Sequence, residues 1–324
     1  MGMNQLCQVL KIKKPVIQGP MAYVSTAPLV AAVSNAGGFG VLGVAAAPPE
    51  FVEFQIHETR KLTAHPFGVN VFMVPELLEL ITPLLIREKP AVVYADILAN
   101  LSSDLCQEYF PQWKDAGLKI IVKASTIEDA ITAERGGADV IVVKGWEGGG
   151  HVTPETTMVL VPQAADILSV PVVAGGGIAD GRGMAAAIAL GAVAVEMGSI
   201  FLCAKETDIP DCVKQAVINA GDMESVVTGL STGEPCRQLK NRLSDIVLSI
   251  EAENPAKVAA AKIRDMVEGS LKKAMMGGDI DFEGAVMVGQ IAPLIKDIRP
   301  VVEIIDSTIT QAKAILAKSA GFVF

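Results

Sequence analysis

The chain is short of charge. Asp, Glu, Lys and Arg make up 19% of its 324 residues, below the ~25% usual for a globular protein. Residues 15–49 carry no charge at all. That run raises the question of a membrane span, which needs roughly 20 mostly apolar residues. Pro15, Pro20, Pro28, Pro48 and Pro49, the pair Gly37-Gly38 and the polar Gln18 and Asn35 interrupt it, so it reads as the wall of a dry core. No export signal is expected either: Met1–Lys14 has polar residues throughout and no apolar run of secretory length. Cysteines are few and unpaired in sequence. Cys7, Cys106, Cys203, Cys212 and Cys236 contain no CxxC, which excludes a disulfide or zinc framework and points to reduced thiols in a cytoplasmic protein. A basic excess is absent. The net charge of −9 argues against nucleic acid or an anionic membrane as partner.

What is present is apolar and periodic. Hydrophobic residues reach 51%, too many for a disordered chain. Eight short runs rich in Val and Ile recur at 16–21, 38–43, 67–72, 91–97, 119–124, 140–144, 170–174 and 194–201. Most are continuous rather than alternating, as in parallel strands covered on both faces. Helical patterns separate them at 26–36, 49–63, 75–89, 103–116, 126–135, 156–168 and 180–190, with a break or kink expected at Pro111. Thr126 and Asp129 have capping-box spacing, and Gly136-Gly137 ends that helix. Eight strand–helix repeats predict an α/β fold, a closed (β/α)8 TIM barrel, with a doubly wound open sheet as the alternative. The barrel is assigned to residues 1–204 and 291–324. Residues 205–290, rich in helix and turn signals, form a mostly helical insertion or lid over the mouth. A long helix near 292–317 closes the barrel.

Barrel active sites lie at the C-terminal ends of the strands. Three glycine-rich turns fall there: Gly148-Gly149-Gly150-His151, Gly175-Gly176-Gly177 and Met197-Gly198-Ser199. The last two lie in the loops that form the usual barrel phosphate site, where glycines let N–H groups approach an anion. A phosphorylated substrate or flavin mononucleotide fits them, and ordinary tight turns are the alternative. His151, with three glycines giving it a flexible approach, faces the mouth as a group able to move a proton. His57 and His65 read as solvated surface residues. Lys123 and Lys144 end strands five and six, either pointing into the mouth or capping the sheet edge outward. Gln18, Gly19, Pro20, Met21 and Asn70 are mouth positions by spacing. Trp146, beside Glu147, either stacks on a ligand or packs the loop.

Together these motifs resemble the flavin-dependent family of enoyl-acyl-carrier-protein reductase II and nitronate monooxygenase, formerly 2-nitropropane dioxygenase. The resemblance rests on residues 15–21, 34–40, 66–70, 148–151, 174–181 and 192–201, and residues 269–273 and 286–290 look like the reductase branch. It implies a barrel holding non-covalent FMN at Met21, Asn70, Gly149, Gly150, Gly176, Gly198 and Ser199, with His151 catalytic. In the reductase branch NAD(P)H supplies electrons for an enoyl thioester, and acyl carrier protein or a homodimer partner is in keeping with it. In the other branch a nitronate is oxidised with oxygen. A non-redox phosphate-binding barrel is the reading outside this family. Three departures fall at the mouth: Lys123 replaces a small residue, Lys144 replaces Glu or Gln, and strand four ends in Tyr94-Ala95-Asp96-Ile97. The two lysines suggest an acidic substrate group or a differently tuned flavin.

Overall fold

The computed structural model describes residues 4–98, 100–319 and 321. Eleven strands occur in it: β1 Val16–Gln18, β2 Phe39–Leu42, β3 Phe67–Phe72, β4 Val92–Asp96, β5 Lys119–Ala124, β6 Val140–Lys144, β7 Gly150–His151, β8 Val172–Gly175, β9 Ala194–Met197, β10 Ser225–Thr228 and β11 Cys236–Leu239. Eight of these close a parallel barrel in the order β1-β2-β3-β4-β5-β6-β8-β9. The expected eight runs are the eight staves, so the fold is a (β/α)8 barrel. The closing pairs are Val16 with Val195 and Gln18 with Met197.

Helices cover the outside. Those at Pro49–Leu62 and Pro75–Glu88 begin with proline at the first helical position, where its missing N–H and fixed φ do no harm. The helix Ser103–Asp115 runs on through Pro111, so the break that was one of the two expected outcomes does not occur; Phe110 and Trp113 on either side are fully buried and anchor it in the core. Thr126 caps the helix Ile127–Gly136 as its spacing indicated. Asp129 does not complete the box. Its Oδ1 accepts the Leu101 N–H at 2.8 Å and its Oδ2 the Thr126 hydroxyl at 2.7 Å.

Alternation along the strands splits the apolar residues into two sets. One set packs against the helices. The other, including Ile17, Tyr94, Ile121, Val142, Val173 and Ala194, fills the lumen. The helix Gln5–Leu10 stops the N-terminal end of the lumen with Leu6, Cys7 and Leu10, and Asn4 donates to the Val193 carbonyl at 2.7 Å.

Several boundaries differ from the sequence reading. The first strand stops at Gln18, and the last at Met197, where Ser199–Leu202 turns into helix. The insertion holds strands as well as helices. β10 and β11 form an antiparallel sheet with β7 in the order β10-β11-β7, so His151 sits on a paired strand rather than a flexible tether. The final helix is Val301–Ser319, not 292–317. Pro293 lies in a short 3-10 turn, and Pro300, which cannot donate an N–H, precedes the helix. Glu206 caps its start by accepting the Val301 N–H at 3.0 Å. Among the described residues no helix is long and apolar enough to cross a membrane.

Candidate active site

Two residues beyond each apolar lumen residue comes the next inward position, and there the lining changes character. Above Ile17, Tyr94, Ile121, Val142, Val173 and Ala194 stand Gly19, Asp96, Lys123, Lys144, Gly175 and Glu196. A strand's period of two thus stacks a polar layer on the dry core. This layer, the turns after it and residues of the insertion surround a cavity of about 580 Å³ at the C-terminal end of the barrel.

The layer is internally paired. Asp96 and Lys123 are register partners on β4 and β5, and their side chains form an ion pair. Asn70 donates its amide to the other Asp96 oxygen at 2.7 Å. The Tyr94 hydroxyl donates to Glu196, and the Lys123 ammonium lies 5.8 Å from the Tyr94 ring centroid. Lys144 donates to the carbonyls of Gly149 and His151, each at 2.7 Å. Both lysines therefore point into the mouth, and Lys123 meets its counter-charge inside the protein.

Burial and neighbouring charges set the protonation of these groups. Burial raises the Glu196 carboxyl, with Asp96 adding to the rise, against the pull of Lys123 and the Tyr94 hydroxyl. Burial also pushes Tyr94 well above its ordinary value, helped by Glu196 and Asp96. For Lys123 burial works downward, but Asp96 and Glu196 outweigh it and the ammonium is stabilised. Lys144 has no such partner. Burial and then the Lys123 charge bring it down to about 8. Burial followed by the charges of Lys144 and Lys123 holds His151 below its ordinary value, so its imidazole is neutral at pH 7.

Of the residues singled out by sequence, Gly19, Pro20, Met21, Asn70, Lys123, Lys144, Gly149, Gly150, His151, Gly176, Gly177, Gly198 and Ser199 line the cavity. Gln18, Gly175 and Met197 lie just beneath it. The Gln18 amide is fully buried and tied to Gly19, Ser25 and the Val41 carbonyl, which braces the turn after β1. Met197 contributes its carbonyl to the Gly19 N–H at 3.0 Å. Trp146 does not line the cavity. Its ring stacks under the Arg237 guanidinium at 5.2 Å. His57 and His65 are exposed on the outer surface. Glu196, Cys236, Met275 and Ile291 line the cavity without having been picked out as site residues, while Asp96 was noted only within the unusual end of strand four, and Leu271 and Met287 only within 269–273 and 286–290. The two-residue step from Tyr94 and Ala194 was the signal for the two acids. Nothing local marks Met275 and Ile291.

The glycine turns form a cradle. Gly176 and Gly177 both have positive φ, 86° and 74°, which turns successive N–H groups the same way. Among the described residues, no protein acceptor takes the N–H of Gly177, Ile178 or Ser199. The Ser199 hydroxyl accepts the Gly289 N–H at 2.8 Å, which leaves its own proton to give. A Cβ on Gly198 would meet nothing nearer than the Met21 sulfur at 3.8 Å, so this turn faces open space. Such a cradle fits the phosphate of a mononucleotide.

Fold and site thus define a barrel enzyme with an anion cradle on β8 and β9 and an imidazole across the mouth. Comparison with known proteins narrows this. The nitronate monooxygenase family model matches residues 3–109 and 100–311. A probable nitronate monooxygenase of Staphylococcus aureus (strain JH9) is 32% identical over 311 residues, covering 84% of this chain and 86% of that one. FabK from Thermotoga maritima superposes with a TM-score of 0.92 at 36% identity, over 100% of both chains. A nitroalkane oxidase from Streptomyces ansochromogenes gives 0.81 at 25% identity, over 98% of this chain and 100% of that one. The chain belongs to the nitronate monooxygenase family and is an FMN-dependent oxidoreductase.

Proposed function

We propose that the protein is an NAD(P)H-dependent reductase of enoyl thioesters, of the enoyl-acyl-carrier-protein reductase II type. One observation carries this reading. The two segments that look like the reductase branch, 269–273 and 286–290, come together over the mouth, where Leu271, Met275, Met287 and Ile291 make an apolar roof. An acyl chain can bury apolar surface there at roughly 0.8 kcal/mol per CH2, which a small nitronate does not need.

The glycine cradle of 176–177 and 198–199 would hold the FMN phosphate, and Gly19, Met21 and Asn70 would border its ring. Bound FMN would supply the two-electron chemistry, passing a hydride from NAD(P)H to the β-carbon of the enoyl thioester, while the enolate so formed would take a proton from solvent at its α-carbon. The protein's own groups orient and shield. The neutral His151 imidazole has one N–H to donate to the thioester carbonyl, where negative charge develops. The acyl group would arrive on a carrier protein or as a small thioester.

Steady-state assays test the reading. Loss of a 2-enoyl thioester that depends on NADH or NADPH is expected. Oxygen uptake with propionate 3-nitronate and no thioester reduction would overturn it in favour of the monooxygenase branch. His151→Ala is expected to keep the flavin absorbance near 450 nm and to lower turnover about 10²-fold. Wild-type turnover in that variant would return His151 to a structural role.

A further inference from the structure

The short strand that carries His151 is tied down from two sides. From outside, Arg237 on β11 donates Nε to the Trp146 carbonyl at 3.1 Å and stacks on its ring. Glu147 reaches the start of the next helix, accepting the Thr157 N–H at 2.9 Å. From inside the barrel there is Lys144. It is the last residue of β6, and its side chain turns back on the loop that follows it. Its ammonium spans the carbonyls of Gly149 and His151, the two residues flanking Gly150.

Gly150 is the adaptable point of the loop. It has a φ of 72°, and a Cβ there would touch nothing within 4 Å. A hairpin pivoting on such a residue needs its flanks held if its imidazole is to stay in one place. Lys144 is an unusual choice for that task. Among the described residues no carboxylate pairs with it. The charged and titratable groups facing it are Lys123 from β5, Asp96 from β4, Glu196 from β9, Cys236 from β11 and His151 itself. Two bonds from a cation to neutral carbonyls are stronger than bonds from a neutral donor.

We propose that Lys144 is a positioning residue: by holding the carbonyls on both sides of Gly150, it fixes where the His151 imidazole stands at the mouth. The proposal rests on His151 serving the reaction, as set out above. It assigns Lys144 no contact with substrate.

The test compares flavin-loaded wild type, Lys144→Met and Lys144→Arg. Hydrogen exchange over residues 148–152 is expected to quicken about tenfold or more in Lys144→Met, since two bonds are lost, with β5 and β6 unchanged. Lys144→Arg, which keeps charge and donors, is expected to restore most of the protection. The His151 titration, followed by NMR against His57 and His65, is expected to move up in Lys144→Met, because a neighbouring cation is gone, and to stay in place in Lys144→Arg. Turnover should fall in kcat with little change in KM. Unchanged exchange over 148–152 in Lys144→Met would overturn the proposal. So would a rise in KM with kcat intact, which marks a cation that binds substrate. Exchange and titration need no substrate, so they judge Lys144 even if enoyl thioesters are not reduced. Should Lys144→Met not fold, Lys144→Gln, uncharged and one atom shorter though still a donor, gives the same comparisons with smaller increments.

Discussion

At the scale of single residues, the floor of the cavity is a set of charges that depend on one another. Lys123 and Asp96 are both largely withdrawn from water, with side-chain exposures of 18% and 9%. Removing one partner leaves the other charge buried and unmatched. Lys123→Met is expected to cost about 3 kcal/mol or more in a denaturant titration, and adding Asp96→Asn should recover part of it. An unchanged midpoint in the single variant would show that water reaches Asp96 freely. The same pair shows where sequence reasoning stops. Lys123 stood out because a lysine ends an apolar strand. Asp96 and Glu196 are equally foreign to their strands, but without the closed barrel nothing says that strands four, five and nine bring them to one level. The pairing is a property of register, and register is fixed by closure.

At the scale of elements, two joints between outer helices turn on single residues. The helices Pro49–Leu62 and Pro75–Glu88 are stitched by Glu88, which meets His57 at 3.0 Å and Arg60 at 2.7 Å, while Arg87 reaches Glu53 at 2.7 Å. Burial works to raise the Glu88 carboxyl, but the bonds from Arg60, His57 and Arg87 outweigh it and hold it low. A depressed carboxyl contributes stability above its unfolded value, ~4.3, and loses it as pH falls through the folded value. Glu88→Gln is therefore expected to lower stability by on the order of 1 kcal/mol at pH 7, with the deficit shrinking as the pH is lowered through the acid range, by thermal melts at several pH values.

The second joint is between the helices Gly181–Ala189 and Val301–Ser319. A Cβ at Gly181 would sit 2.5 Å from the Thr308 carbonyl and the Ala312 nitrogen, so the two backbones meet there. Gly181→Ala is expected to destabilise by about 1–3 kcal/mol, by the same melts. Staves and helices were legible because each has its own period and end signals. The strands β10 and β11 were not. Their residues Ser225–Thr228 and Cys236–Leu239 mix polar and apolar types, and the second partner of β11 is the two-residue strand Gly150–His151, far away in sequence.

At the scale of the whole molecule, the insertion does two things at once. It roofs the cavity with Leu271, Met275 and Met287, and through β11 it pairs with the strand of His151. Under the proposed function, chain-length preference and the setting of the imidazole are built into one piece of structure. Met275→Ala is expected to raise KM for long 2-enoyl thioesters several-fold more than for a four-carbon one, a gap of ~1 kcal/mol or more. Equal effects on both would place the acyl chain elsewhere.

The barrel is also a vessel with a stopper. The helix Gln5–Leu10 fills the end opposite the cavity with Leu6, Cys7 and Leu10. Under the proposed function, the electron donor and the electron acceptor then use the same mouth, and we expect them to visit in turn, the first leaving before the second enters. Initial-rate plots at several fixed acceptor concentrations should be parallel lines, and each reactant in excess should obstruct the other. Intersecting lines would mean that both fit through the mouth together.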